Sequence, residues 1–349
     1  MSLRGAHRLY TSVELCAGAG GQAIGLEQAN FQHVALIDND ADACATLRLK
    51  RPGWNVVGPK SIVGFSDPQY AGIDLLAGGV PCPPFSRAGR QLGDLDERNL
   101  FPAALDLVEL WHPRAVMFEN VRGLLDGAFD GFRDAVGDRL YGLGYTRPKW
   151  KLLQASDYGV PQLRPRAVGV ALKRDLHEAF DWPLPSVEPA PTVGAVLERL
   201  MAAGGWSGAT DWAAHANRIA PTLVGGSKKH GGPDLGPTRA KREWLGLGVN
   251  GMGLANSAPP PDFEGIPQLT VEMAAALQGF PLDPKTGRLS WQFAGGKTSR
   301  YRQVGNAFPP PVARAVGLRI REALMRADGL SADPSGSPDI REVVLSVSS

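Results

Sequence analysis

Cys82 lies between Pro81 and Pro83 in the run Gly78-Gly79-Val80-Pro81-Cys82-Pro83-Pro84-Phe85-Ser86. Flanking prolines restrict the backbone on both sides of the cysteine and hold its sulfur in one place. A thiolate held in this way is a strong, soft nucleophile. A buried structural thiol is the competing reading, and it is the usual state of a free cysteine. It suits Cys16 and Cys44 better, since one ends a strand-like segment and the other lies in an apparent helix. Glu119, in Phe118-Glu119-Asn120-Val121, follows an apolar segment and could exchange a proton with a bound heterocycle. An isolated acid there could equally cap a helix or face solvent. Arg164 and Arg166 stand two residues apart in Gly159-Val160-Pro161-Gln162-Leu163-Arg164-Pro165-Arg166, so on extended chain they point to the same side. They could grip a carbonyl, a phosphate or a carboxylate, and a plain surface pair fits the spacing as well. In Tyr301–Ala307, Gly305 and Asn306 suggest a tight turn, with helix entry as the alternative.

A fifth group is glycine-rich. Leu15-Cys16-Ala17-Gly18-Ala19-Gly20-Gly21 follows a short strand and opens a helix, and Asp38 lies twenty residues after Gly18. Glycines let backbone approach a ligand, and an acid at the tip of the next strand can hold ribose hydroxyls. This predicts a site for an adenosine-containing cofactor, without distinguishing nicotinamide, flavin and S-adenosylmethionine.

These residues need a frame. Strands are expected at Ser12–Cys16, His33–Ile37, Trp54–Val57, Ile73–Ala77, Ala115–Phe118, Lys151–Ala155 and Ala167–Leu172. Helices are expected from about Gln22 to Asn30 and at Ala41–Leu49, Leu100–Leu110 and Phe129–Leu143. The alternation argues an open α/β sheet whose ligands sit beyond the carboxyl ends of the strands. Within the long polar loop Gly78–Arg98, the segment Arg87–Arg98 could close over a substrate. After Lys173, Pro183–Pro185 and Pro189–Thr192 read as a boundary. From there to Gly296 the chain is rich in Gly, Pro and Trp and reads as a smaller, irregular domain with a short helix at Thr270–Leu277. A last helix, from about Val312 to Met325, is apolar enough to return to the sheet, and the tail Ala327–Ser349 is expected to be loose in part. The expected division is 1–175 with 300–327, then 176–299, then a tail at 328–349.

Composition narrows the classes. Of 349 residues, 43% are hydrophobic and 21% charged, which excludes wholesale disorder. The 43 glycines and 29 prolines show no Gly-x-y period, which excludes collagen. Three cysteines exclude a disulfide scaffold and a four-cysteine zinc site, and no metal is expected. No apolar run is long enough for a signal peptide or a membrane span, so a cytoplasmic protein with reduced thiols is expected. The net charge of +2 confines any nucleic-acid contact to local patches.

In this order, the segments closely resemble the bacterial cytosine-5 DNA methyltransferases, including those of restriction–modification systems. The family's glycine motif resembles Leu15–Gly21, its Pro-Cys motif Pro81-Cys82, and its Glu-Asn-Val motif Glu119-Asn120-Val121. Its Gln-x-Arg-x-Arg motif resembles Gln162–Arg166, its penultimate motif Arg218–Gly226, and its last motif Gln303-Val304-Gly305-Asn306. Each motif is weak alone, whereas the ordered set, spanning roughly 10–325, is specific. The sequence departs from the family at three points. Cys16 stands in place of an aromatic residue, Pro59-Lys60-Ser61-Ile62 lacks the usual acid, and Pro83 replaces the common Gln.

The resemblance implies a large Rossmann-like α/β domain that binds S-adenosylmethionine, with S-adenosylhomocysteine as product, and a smaller target-recognition domain. It implies that a cytosine flips out of double-stranded DNA, that Cys82 adds to C6, and that Glu119 supplies a proton at N3. Arg166 would hold O2, with Arg164 supporting the site. The implied cofactor set is Cys16, Ala17, Gly18, Gly20, Gly21, Asp38, Asn39, Ser61, Ile62, Pro81, Leu100 and Asn306. Ser61 could accept a hydrogen bond where the usual acid is missing. Between Arg218 and Arg302 stand eleven Lys/Arg against six Asp/Glu, and such a patch can meet phosphates. The expected DNA-binding set is Ser86, Arg218, Lys228, Lys229, Arg239, Lys241, Arg242, Lys297 and Arg300. A monomer associated with the nucleoid is expected, and a cognate restriction endonuclease could be encoded separately. Three alternatives compete: a tRNA methyltransferase on the same scaffold, a nicotinamide-dependent oxidoreductase, and a DNA-binding protein that has lost catalysis. The oxidoreductase leaves Pro81-Cys82 and Glu119-Asn120-Val121 unexplained.

Overall fold

A computed structural model describes residues 8–81, 99–225 and 233–330. Its first strands alternate with helices as the sequence pattern requires: β1 (Tyr10–Leu15), α1 (Gly21–Gln28), β2 (Phe31–Ile37), α2 (Ala41–Lys50), β3 (Val56–Val57) and β4 (Leu75–Gly78). Then come α3 (Phe101–Trp111), β5 (Ala115–Val121), α4 (Asp130–Gly142), β6 (Lys149–Gln154) and β7 (Pro165–Leu172). The sheet order is β3-β2-β1-β4-β5-β7-β6. β7 runs antiparallel to both β5 and β6, while the β1–β2, β1–β4, β2–β3 and β4–β5 pairs are parallel.

The chain builds outward from β1 through β2 to β3, then crosses to β4 on the other side. This reversal leaves a crevice at the carboxyl ends of β1 and β4, where open α/β sheets bind ligands. Register sets the crevice: Leu15 pairs with Gly78, and Gly78 with Phe118. The chemistry-bearing segments after β1 and β4 and near the end of β5 therefore emerge side by side.

Both sheet faces are covered. Val13, Leu15, Leu76, Val116 and Phe118 share one core with Leu105, Val108 and Trp111 of α3 and Leu140 of α4. Leu75, Ala77, Ala115 and Met117 point the other way and pack with Leu26 of α1 and with the last helix, α10 (Pro310–Ala327). Proline at the start of α10 suits a helix entry, because the missing N–H is one that no helical carbonyl would accept.

The second region contains more helix than its composition suggests: α5 (Val193–Met201), α6 (Ala209–His215), α7 (Thr238–Leu245) and α8 (Val271–Leu277). The first three were not expected. They are short, and α7 is highly charged, with Trp244 fully buried from its last turn. Thr270 caps α8 by accepting a bond from the Met273 N–H. These helices share a core with Ala17, Ala19, Ala23 and Leu47 of the glycine turn, α1 and α2.

Two expectations need correction. Trp54 and Asn55 precede the short β3 rather than belonging to it. Gly305 and Asn306 do not form a tight turn; they end a helix, α9 (Lys297–Asn306). The Asp328 carboxylate, just past α10, accepts from Arg8, Tyr10 and Arg114. Residues 331–349 lie outside the described residues. Among the described residues no helix is long and apolar enough to cross a membrane.

Candidate active site and cofactor cavity

A cavity of about 260 Å³ opens at the carboxyl ends of β1, β2 and β4. It is lined by eleven of the twelve expected cofactor residues: Cys16, Ala17, Gly18, Gly21, Asp38, Asn39, Ser61, Ile62, Pro81, Leu100 and Asn306. Gly20 does not line it. Its backbone is left-handed at φ +87°, and a Cβ there would lie 2.8 Å from Leu47 Cδ2 and 3.0 Å from Trp291. Glycine at 20 is therefore required by the turn and by packing. Gly18, at φ +53°, has open space where a Cβ would stand.

Asp38 organises the turn. Its carboxylate accepts the Gly18 N–H at 2.7 Å and the Asp40 N–H at 2.7 Å. Burial raises its pKa above the ordinary value, while these backbone donors pull it back. The other walls are apolar at Ile37, Ile62 and Leu100. A buried carboxylate, open glycine backbone and an apolar slot suit a ribose diol, a close-lying chain and an adenine ring. The Ser61 hydroxyl accepts the Val63 N–H at 3.1 Å.

Sequence reasoning missed several lining residues. Gln22, Asp40, Lys60, Gly79, Arg302, Gln303, Ala307 and Phe308 also border the cavity. Arg302 and Asn306 lie one helical turn apart on α9, a signal visible once that segment is read as a helix. Trp291, distant in sequence, donates its indole N–H to the Ala19 carbonyl at 3.0 Å and braces the glycine turn from the second region.

Glu119 reaches the same cavity from β5. Its Oε1 lies 2.9 Å from Arg166 Nε. Burial raises the Glu119 pKa against the opposing pull of Arg166 and Arg164. Asn120 donates to the Val80 carbonyl at 2.7 Å. This ties the end of β5 to the segment leading into Pro81. The Leu100 N–H bonds the Pro81 carbonyl at 3.3 Å, so the chain on either side of 82–98 is joined there. Cys82 and Ser86 lie outside the described residues.

Arg164 acts on Glu119 through its charge, while its hydrogen bonds go elsewhere. It is 1% exposed and donates to the carbonyls of Leu223, Gly305 and Ala307. Cys16 and Cys44 behave as structural thiols: burial and nearby Asp38 push them up to about 12 and about 11.

The expected DNA-binding residues divide. Lys241 pairs with Asp234 at 2.7 Å and Lys297 donates to the Leu254 carbonyl at 2.8 Å, so both are engaged within the protein. Arg218 donates to Gly246 O at 2.6 Å, and the Nε of Arg300 is buried without a hydrogen-bond partner. Arg239 and Arg242 stand exposed on α7, Arg239 with Glu243 at 3.1 Å. Lys228 and Lys229 lie outside the described residues.

Residues 10–322 match the model of the C-5 cytosine-specific DNA methylase family. Type II methyltransferase M.NaeI of Lentzea aerocolonigenes is 55% identical over 91% of this chain and 76% of its own length. Type II methyltransferase M.NgoMIV of Neisseria gonorrhoeae is 51% identical over 91% and 99%. The fold is shared with S. pombe Dnmt2 methyltransferase, at TM-score 0.59 and 18% identity over 91% of this chain and 98% of that one. It is also shared with the Entamoeba histolytica methyltransferase EhMeth, at TM-score 0.60 and 15% identity over 93% and 100%. The family match removes the oxidoreductase reading that the glycine turn alone left open. The chain belongs to the C-5 cytosine-specific DNA methylase family and is a cytosine-5 DNA methyltransferase.

Proposed function

We propose that the enzyme is the modification methylase of a Type II restriction–modification system, and that it acts on a cytosine flipped out of duplex DNA through a covalent adduct with Cys82. The observation that carries this reading is the buried Glu119–Arg166 pair, 2.9 Å apart, opening into the cavity beside Gly79 and Pro81. A flipped cytosine presents N3 and O2 on one edge, and a protonated carboxyl beside a guanidinium matches that edge.

The Cys82 thiolate would form a bond to C6 while Glu119 gives its proton to N3, which leaves C5 electron-rich. Arg166 would hold O2 and keep its charge throughout. S-adenosylmethionine, when bound, supplies a methyl group on a positively charged sulfur. C5 would take that methyl and then lose its proton to water. Expulsion of the Cys82 sulfur from C6 restores the ring, and Glu119 recovers the N3 proton. Gly18, Asp38, Ile62, Leu100 and Asn306 would seat the cofactor, with Asp38 on the ribose. Apolar walls around Glu119 exclude water and strengthen its interaction with N3.

Arg239 and Arg242 on α7, with Arg218, are the exposed cations we assign to phosphate contacts among the described residues. The division into a catalytic part (1–175 and 300–327) and a target-recognition part (176–299) fits these roles, and a monomer suffices for one flipped base.

The test is transfer of labelled methyl from S-adenosylmethionine to duplex DNA and to RNA, for wild type and Cys82→Ala, with bisulfite mapping of the DNA. Label on cytosine C5 of DNA that vanishes in Cys82→Ala is expected. Label on DNA that survives Cys82→Ala would refute the covalent mechanism, and label confined to RNA would refute the substrate.

A further inference from the structure

The buried guanidinium of Arg164 directs its Nη donors at backbone carbonyls. Its Nη1 donates to the Leu223 carbonyl at 2.8 Å, and its Nη2 to Gly305 at 2.6 Å and Ala307 at 3.1 Å. Two fully buried glutamines complete the knot. Gln162 donates to Gln278 Oε1 at 2.7 Å and accepts the Leu223 N–H at 2.8 Å, while Gln278 donates to Ala307 O at 2.5 Å. At the same junction backbone meets backbone. A Cβ on Gly305 would lie 2.3 Å from Gly225 Cα, and one on Gly225 would lie 2.3 Å from Asn306 Oδ1.

Two walls with different tasks meet here. Asn306 and Ala307 border the cofactor cavity. The segment from Arg218 to Gly225 begins with an exposed cation and lies against 161–163 through backbone bonds of Ala220 with Pro161 and Leu163. The Arg164 Nη donors and the two glutamines bind the two walls, while Arg164 Nε is buried without a partner; such a contact transmits displacement, because moving either side would leave further buried polar groups unmet.

We infer that Arg164 is a positioning residue that couples the cofactor cavity to the DNA-facing segment 218–225 by clamping Leu223 to Gly305 and Ala307. This rests on the proposed seating of the cofactor at Asp38 and Asn306. Binding at either wall stiffens the shared junction, so each ligand raises affinity for the other by the same factor.

The test titrates S-adenosylhomocysteine into the enzyme by calorimetry, with and without a duplex carrying the site mapped by bisulfite sequencing. In wild type the duplex is expected to tighten the product about tenfold, within the usual range of coupling between sites. Arg164→Gln should weaken product binding several-fold and reduce the tightening to less than twofold, with Arg164→Lys in between, because one ammonium cannot span three carbonyls. Gly225→Ala wedges the same junction from the other side and should also abolish the tightening; it carries the test if Arg164→Gln does not fold. An Arg164→Gln enzyme that loses kcat while keeping wild-type product affinity and tightening would overturn the inference and place Arg164 on the substrate. A wild type without tightening would overturn it too. Asp38→Ala reports separately on the cavity: unchanged product affinity there would refute the seating itself.

Discussion

Glu14 offers a quantitative test of how the glycine turn is supported. Its side chain, on β1, is fully buried beneath α1. The Gln22 amide donates to its Oε2 at 3.3 Å, and Gln22 borders the cofactor cavity. His33 Nδ1 lies 3.5 Å from Oε1 and 2.8 Å from the Ser12 hydroxyl, while Nε2 meets the Ala23 carbonyl at 2.9 Å. Burial pushes Glu14 from 4.5 up to about 8 and His33 from 6.5 down to about 4, so the two meet as neutral groups. The folded state thus keeps a proton that the unfolded chain releases above pH 4.5. Glu14 costs no stability below that value; the cost grows as pH rises and levels off above pH 8. At about 1.4 kcal/mol per unit, the loss is roughly 3 kcal/mol at pH 7 and close to 5 kcal/mol above pH 8. Glu14→Gln keeps the shape and the bond with Gln22 but cannot ionise. Urea unfolding from pH 5 to pH 8.5 should therefore give near-equal stability at pH 5 and a variant more stable by about 3 kcal/mol at pH 7. His33 contributes in the opposite direction, losing stability as pH falls from 6.5 toward 4, but it is present in both proteins. Parallel pH profiles for the two proteins would refute a neutral buried Glu14.

Glu119→Gln should lower single-turnover methyl transfer by about 10²–10⁴-fold. The wild-type rate should fall as pH rises through the raised Glu119 pKa, and an identical falling limb in the variant would exclude Glu119 as the acid. Asp38→Ala, which removes an acceptor for two backbone N–H groups, should weaken S-adenosylhomocysteine binding at least tenfold by calorimetry, a loss near 1.4 kcal/mol. Arg239→Ala with Arg242→Ala should weaken binding to all duplex sequences and lower the salt slope by about two, measured by fluorescence anisotropy between 50 and 200 mM salt; an unchanged slope would remove α7 from the interface.

Much of the frame was legible because its causes are local. Alternating apolar strands and helices placed β1, β2, β4 and β5 within a few residues and Asp38 just past β2, whereas Glu119, expected after a strand ending at Phe118, lies within β5 because the pairing with β7 runs on to Val121. The glycine turn, Pro81-Cys82 and the Gln-x-Arg-x-Arg run carried the family by order alone, since ordered residue types need no coordinates. Other features depend on groups distant in the chain. Gly20 reads like its neighbours until Leu47 and Trp291 occupy the space beside it. Arg164 and Arg166 share a spacing and a face in sequence, yet Arg166 pairs with Glu119 while Arg164 is drawn inward by three carbonyls some 59 to 143 residues away. Lys241 and Lys297 count as basic charge in composition, and only the folded chain engages them with Asp234 and Leu254. Local sequence determines which elements form and which chemistry is carried; burial and long-range hydrogen bonding decide which of two similar side chains faces the substrate and which holds the walls together.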